Sequence, residues 1–175
     1  MKRAYFILVL AIGALGCLFP NPPSVHEVES RFNSNRPALA ELVRFIQADA
    51  GGRVSFDVGL DHIGEYWRHG TDWSKLGGPD VRFDQVLAAS GLSQERYQRY
   101  LSNLSNLQAE RITHVRPERG VPHSKLLLYT WGLVPSGCIM HLTNEALTPE
   151  DSKGDGWSRR VTALKDGWFI EYECD

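Results

Sequence analysis

Two hydrophobic rhythms divide this chain, and their order limits what it can fold into. Through the first half, apolar side chains return every three or four positions. Leu39, Leu42, Val43 and Ile46 do so in one stretch, Phe83, Val86 and Leu87 with Ser90 in a second, and Tyr97, Tyr100, Leu101 and Leu104 in a third. Spacing of i, i+3, i+4 and i+7 lays one stripe of a helix against a core. From about Glu110 the rhythm shortens to strands and turns. Near the end, Trp168, Ile170, Tyr172 and Cys174 alternate with Phe169, Glu171 and Glu173, so the even positions face a core. A helical first half followed by strands reads as α+β: helices packed on one face of a four- or five-stranded antiparallel sheet formed by the second half.

Local signals place the boundaries. Ser24-Val25-His26-Glu27 has the form of a capping box and predicts a helix to about Phe32. Asn35 with Pro37 restarts a helix that Gly51-Gly52 stops, and Arg53 to Val58 reads as a strand. Residues 59 to 79 hold five glycines beside Tyr66, Trp67 and Trp73, and read as an irregular loop region pinned by aromatics. Asp80 is expected to cap the next helix and Ser93 the one after it. Lys125 to Val134 is apolar on both parities, Leu126 and Leu128 against Leu127 and Tyr129, which predicts a strand covered on both faces. Pro135-Ser136-Gly137 reads as a turn, with Cys138 to Leu142 returning antiparallel. Asp166-Gly167 is a two-residue hairpin signal.

The N-terminus carries an address. Lys2 and Arg3 precede an apolar run from Ala4 to Phe19, 16 residues long. A helix needs roughly 20 to span a bilayer, so the run fits a secretory signal better than a membrane span. Pro20-Asn21-Pro22-Pro23 then bars the helix from continuing into the domain. Ala14-Leu15-Gly16-Cys17 resembles the lipobox of bacterial lipoproteins, in which the cysteine is acylated and becomes the mature N-terminus. Gly16 fits that pattern, while Ala14 and Leu15 reverse its usual order. The resemblance implies lipidation, palmitate included, at Cys17 and an envelope location with the domain facing the periplasm or exterior. Leu18, in place of the aspartate linked to inner-membrane retention, then favours an outer membrane. An uncleaved anchor and a soluble secreted product are the alternatives. The chain thus divides into a signal and lipobox segment at 1–19, a Pro-rich tether at 20–23 and one α+β domain at 24–175.

Charge and cysteines agree with that address. The chain has 42% hydrophobic and 23% charged residues, as a folded domain does, and a formal charge of −2. Losing Lys2 and Arg3 makes it more acidic still. With no basic run there is no electrostatic footprint for nucleic acid, so the expected partners are the membrane and an unknown protein. Of three cysteines, lipid on Cys17 leaves Cys138 and Cys174 as an even pair. Their shared core-facing parity and an oxidising compartment allow them to bridge.

Candidate chemistry is sparse. Asp57, Asp61, His62, Glu65, His69 and Asp72 form the densest polar cluster. On a helix, His62, Glu65 and His69 would share one face and could hold a zinc ion with an open position for water. Gly59, Gly64 and Gly70 argue against that helix. Ser136 and Cys138 lack a base, since three residues along a strand put His141 on the other face. Asp151 to Gly156 imitates a calcium loop but has Lys153 at a ligand position and Thr162 where the bidentate glutamate belongs. Five tryptophans and six tyrosines could fill a core or line a recognition surface. The Gly-Leu-Val-Pro-Ser-Gly turn from Gly132 to Gly137 and the aromatic final strand resemble those of small uncharacterised bacterial lipoproteins, which supports the hairpin and implies no activity. The reading is therefore a membrane-tethered, non-enzymatic binding domain without a cofactor, of which a toxin-binding immunity protein would be one form. The alternative is a metal-dependent hydrolase using His62, Glu65 and His69.

Overall fold

In the computed structural model, residues 22–133, 136–145 and 158–174 are described. The first helix, α1 (Val25–Ser34), starts as its sequence predicts: Ser24 Oγ accepts from the Glu27 amide at 3.3 Å, and Glu27 Oε2 accepts from the Ser24 amide at 2.7 Å. Helix α2 (Arg36–Ala50) has Pro37 in its first turn, where a missing N–H costs nothing. Asn35 does not cap it. Its side-chain amide donates back to the Arg31 carbonyl at 3.0 Å and so closes α1 instead. Gly51, at φ 57°, ends α2. Helix α3 is Phe83–Ser90 and α4 is Gln94–Leu107, where Ser93 Oγ accepts from the Arg96 amide at 3.1 Å. Asp80 lies in a strand, contrary to its expected capping role. Arg82 occupies the cap position, and the Gln85 side chain accepts from its backbone N–H at 3.0 Å.

The sheet is twice the expected size. Its strands are β1 (Ser55–Gly59), β2 (His62–Ile63), β3 (Tyr66–His69), β4 (Asp72–Lys75), β5 (Asp80–Val81), β6 (Arg111–Val115), β7 (His123–Leu133), β8 (Ser136–Thr143), β9 (Ser158–Ala163) and β10 (Phe169–Cys174). Their order is β5-β4-β3-β2-β1-β6-β7-β8-β10-β9, and the pairings are antiparallel. Residues 59 to 79 are thus a run of tight hairpins and not an irregular loop. Gly64, Gly70 and Gly77 have φ between 57° and 70°, the left-handed conformation that short turns need. The aromatics between them, Tyr66, Trp67 and Trp73, occupy the strands, where their side chains are favoured. Strands of two to four residues are too short to show alternation, which is why the sequence pattern missed them.

One face of this sheet takes the helices. Phe56, Val58, Ile112, Leu126, Leu142 and Ile170 are buried on it together with Leu42, Phe45, Ile46, Tyr100 and Leu104 from α2 and α4. Trp73, Phe83 and Tyr97 form an aromatic group at its β4 side, with ring centroids 5.3–6.4 Å apart. Strand β7 departs from the expectation of two covered faces. Leu126 and Leu128 are buried, whereas Lys125, Leu127 and Tyr129 are half-buried. Beside Lys125 and Leu127 on the second face stand Thr113, Thr143, Arg111 and His141, so up to the bulge between Leu127 and Tyr129 the strand has one apolar side. Beyond it, Tyr129 lies opposite the buried Met140. The final hairpin turns through Asp166 and Gly167 at φ 59° and 72°, and the Trp168 amide donates to the Lys165 carbonyl. Its partner β8 lies opposite β10 with Cys174 facing Cys138.

The strand register also separates two ends of the molecule. Pro22 and Pro23, where the described chain begins, lie beside Gln108, Leu128 and Tyr129. The opposite end carries residues 53–54, the β2–β3 and β4–β5 turns and the 116–122 loop, since Ser55 pairs with Val115, Val115 with His123, and Tyr66 with Lys75. Among the described residues, no helix is long and apolar enough to cross a membrane.

Candidate functional site

On the sheet face away from the helices, cross-strand pairing lines up Arg111, Leu127, His141 and Glu171 on neighbouring strands, with His62 in the same row beyond Gly59 of β1 and with Asp57 and Lys125 one row further along. At one side, His62 is buried and its Nε2 lies 2.8 Å from Asp57 Oδ2, while Arg111 reaches the same oxygen at 3.9 Å. Trp67, 41% exposed, stacks on the His62 ring with centroids 4.3 Å apart and planes 6° from parallel. That contact follows directly from the pairing of His62 with Trp67 across the β2–β3 hairpin.

At the other side sits Glu171, with no solvent exposure. Arg159 Nε donates to Glu171 Oε1 at 2.7 Å, and Lys125 Nζ to Oε2 at 3.3 Å. Lys125 also pairs with Glu145 at 3.0 Å, and Arg159 with Glu173 at 3.4 Å. Burial works to raise the Glu171 carboxyl, but the bonds and charges of Arg159 and Lys125 outweigh it and hold the group below its ordinary range. Burial also pushes the His141 imidazole down to about 4, against the pull of Glu171, so this ring is neutral near pH 7. Its Nδ1 is buried without a hydrogen bond, 3.9 Å from Glu171 Oε2. Every charge in the group has an opposite neighbour. The arrangement holds strands β7, β8, β9 and β10 together, and none of its members is poised as a nucleophile beside a free base.

A cleft of about 610 Å³ opens at the loop end of the sheet, with Arg53, Val54, Phe56, Glu65, Tyr66 and Lys75 among its lining. Arg53 lies over the Phe56 ring at 4.6 Å and donates to the Asp49 and Ser90 carbonyls at 2.8 and 3.3 Å. Lys75 lies over Tyr66 at 5.0 Å and bonds Glu65 at 2.6 Å. No sequence pattern points to this cleft, because it joins residues 53–57, the β2–β3 turn, the end of β4 and the end of α3, which are separated along the chain.

The residues expected to bind metal are held apart. His62 is in β2 against Asp57, Glu65 is in the β2–β3 turn against Lys75, and His69 is at the exposed end of β3. The shared face required a helix, and the segment is strand and turn. Among the described residues, no group of three His, Cys, Asp or Glu side chains could hold a metal ion. Cys138 and Cys174 are joined by a disulfide between directly paired positions of β8 and β10. Cys17 and the Asp151–Gly156 segment lie outside the described residues. Comparison with protein-family models, curated proteins and solved structures finds no match to this chain.

Proposed function

We propose that this is a membrane-tethered envelope protein, held through a lipid on Cys17, whose domain works by binding another macromolecule and not by catalysis. A toxin-binding immunity protein would be one form of it. The observation that supports the reading is a division of surfaces. The chain leaves for its N-terminal segment at one end of the sheet, beside Tyr129. Among the described residues, the most exposed large apolar side chains, Leu76, Val121 and Val54, stand at the other end, where Val54 also lines the cleft. Spread over about 25 Å of that end, they offer a partner apolar surface to bury.

Native extraction from the host, followed by size-exclusion chromatography with light scattering, tests the proposal. A stoichiometric complex is expected with wild type and not with Leu76→Asp. A monomer in every extract would count against it. The metal-hydrolase alternative gains no support from the placement of His62, Glu65 and His69. Near-equimolar zinc in the purified protein, lost in His62→Ala, would reverse that judgement.

A further inference from the structure

The geometry points to a specific occupant for the loop end: an acidic segment of a partner protein, with its carboxylates at Arg53, Lys75 and Arg116 and its apolar side chains against Val54, Leu76 and Val121. This rests on the reading of the chain as a tethered binding domain and names its surface and partner chemistry.

Three observations converge on it. Leu76, Val121 and Val54 are 99%, 73% and 67% exposed, and all three lie beyond the same ends of their strands. Neighbouring strands are about 4.8 Å apart, so Val54 and Val121, two strands apart, are roughly 10 Å from each other, and Leu76 lies about 15 Å to the other side of Val54. One segment of partner chain spans that width.

The second observation is charge. This end carries Arg53, Lys75, Arg116 and Arg119 against Glu65 and Glu118, with Asp57 in the cleft and Asp80 just past the β4–β5 turn, so what sets it apart is which of its charges are unpaired. Arg53 and Arg116 bond neutral carbonyls, the latter that of Gly51 at 3.0 Å, and among the described residues neither has a carboxylate partner. Their charges are therefore available to a ligand, and Glu65, exposed beside Lys75, shows the kind of group that fits there. Four cations interspersed with carboxylates on a net-acidic chain make no footprint for nucleic acid.

The third is position. Tyr129 and Val121 are eight residues apart along and just beyond β7, about 27 Å at 3.4 Å per residue. The six residues from Cys17 to Pro23 reach about 20 Å at full extension. The tethered end therefore meets the lipid surface first, and the loop end is the one a protein partner reaches.

Site-directed photocrosslinking of the full-length protein in the cells that make it tests this. A photoreactive amino acid is placed in turn at Leu76 and Val121 and, elsewhere on the surface, at Leu60 and Trp67. The expected result is one protein adduct at Leu76 and Val121, whose crosslinked peptide carries more Asp and Glu than Lys and Arg. That adduct should fall about tenfold in Arg53→Glu/Arg116→Glu, as charge reversal removes electrostatic attraction. Leu76→Asp, with the photoreactive group at Val121, gives the same loss without touching any packed residue, so a folding defect in the double variant would not decide the matter. Adducts to lipid, to a second copy of the chain or to a basic peptide would overturn the inference. So would a protein adduct confined to Leu60 or Trp67, which would leave the binding-domain reading standing. No protein adduct at any of the four positions would overturn both.

Discussion

Replacing Glu171 by glutamine removes one buried charge from between β8 and β9 and leaves the shape nearly unchanged. Glu171 is wholly buried, and its carboxylate bonds Arg159 and Lys125 from both sides. Removing one partner of a buried ion pair costs roughly 3–5 kcal/mol when the other charge is stranded. Here the stranding is incomplete, because Arg159 keeps Glu173 at 3.4 Å and Lys125 keeps Glu145 at 3.0 Å. The expected loss for Glu171→Gln is therefore about 2–4 kcal/mol. For a domain of this size that lowers Tm by about 5–15 °C. Thermal and urea unfolding of the detergent-solubilised protein, followed by far-UV circular dichroism at pH 7, measures it. The sign of the pH dependence gives a second check. The folded carboxyl sits below its unfolded value, so its contribution is present above pH ~4.5 and is lost as pH falls through the folded value. The difference between wild type and variant should close on acidification. A loss under about 0.5 kcal/mol at pH 7, within the range of ordinary surface substitutions, would refute the reasoning. A gap that widens in acid would refute it too.

Three further outcomes follow from the same structure. His141 is held neutral, with its folded value at about 4. Below pH ~6.5 the unfolded chain binds a proton that the folded one refuses, so stability should fall by about 2–3 kcal/mol between pH 6.5 and 4. His141→Gln should flatten that slope, and superposed profiles in a urea-midpoint series would contradict the assignment. Reducing the Cys138–Cys174 disulfide, whose cysteines are 36 residues apart, should cost about 2–4 kcal/mol. Alkylation that finds two free thiols in unreduced protein would remove the bond from the account. Leu42→Ala, in the core beneath α2, should cost about 2–5 kcal/mol, whereas Leu76→Ala should stay within about 0.5 kcal/mol by urea titration. Similar costs at the two sites would mean that the loop end is packed and not open.

The helices were legible because each carries its own stripe and stop signals: Ser24 with Glu27, Gly51 after Ala50, Ser93 before Gln94. The final hairpin was legible from Asp166-Gly167. The strands β2 to β5 were not, because strands this short have no rhythm and their glycines looked like disorder of pattern when they were turn residues. The charged row was hidden for a different reason. Glu171 alternates correctly with Ile170, so parity assigned it to solvent, and only pairing with β8 and β9 brings Lys125, Arg159 and His141 around it. Glu41 on α2 is met in the same way, by Arg99 and, at 2.6 Å, Asn103 of α4. Sequence periodicity tells which face of an element is apolar. It does not tell which distant polar side chains will meet on the other face.

The lipid tether at Cys17 is tested most directly by the intact mass of the protein from detergent-extracted membranes of its host. The predicted result is a chain cut before Cys17, carrying acyl groups, that gains two hydrogens on reduction. An unprocessed full-length chain would contradict it: residues 4–19 would then be an anchor, and Cys17 would carry no lipid.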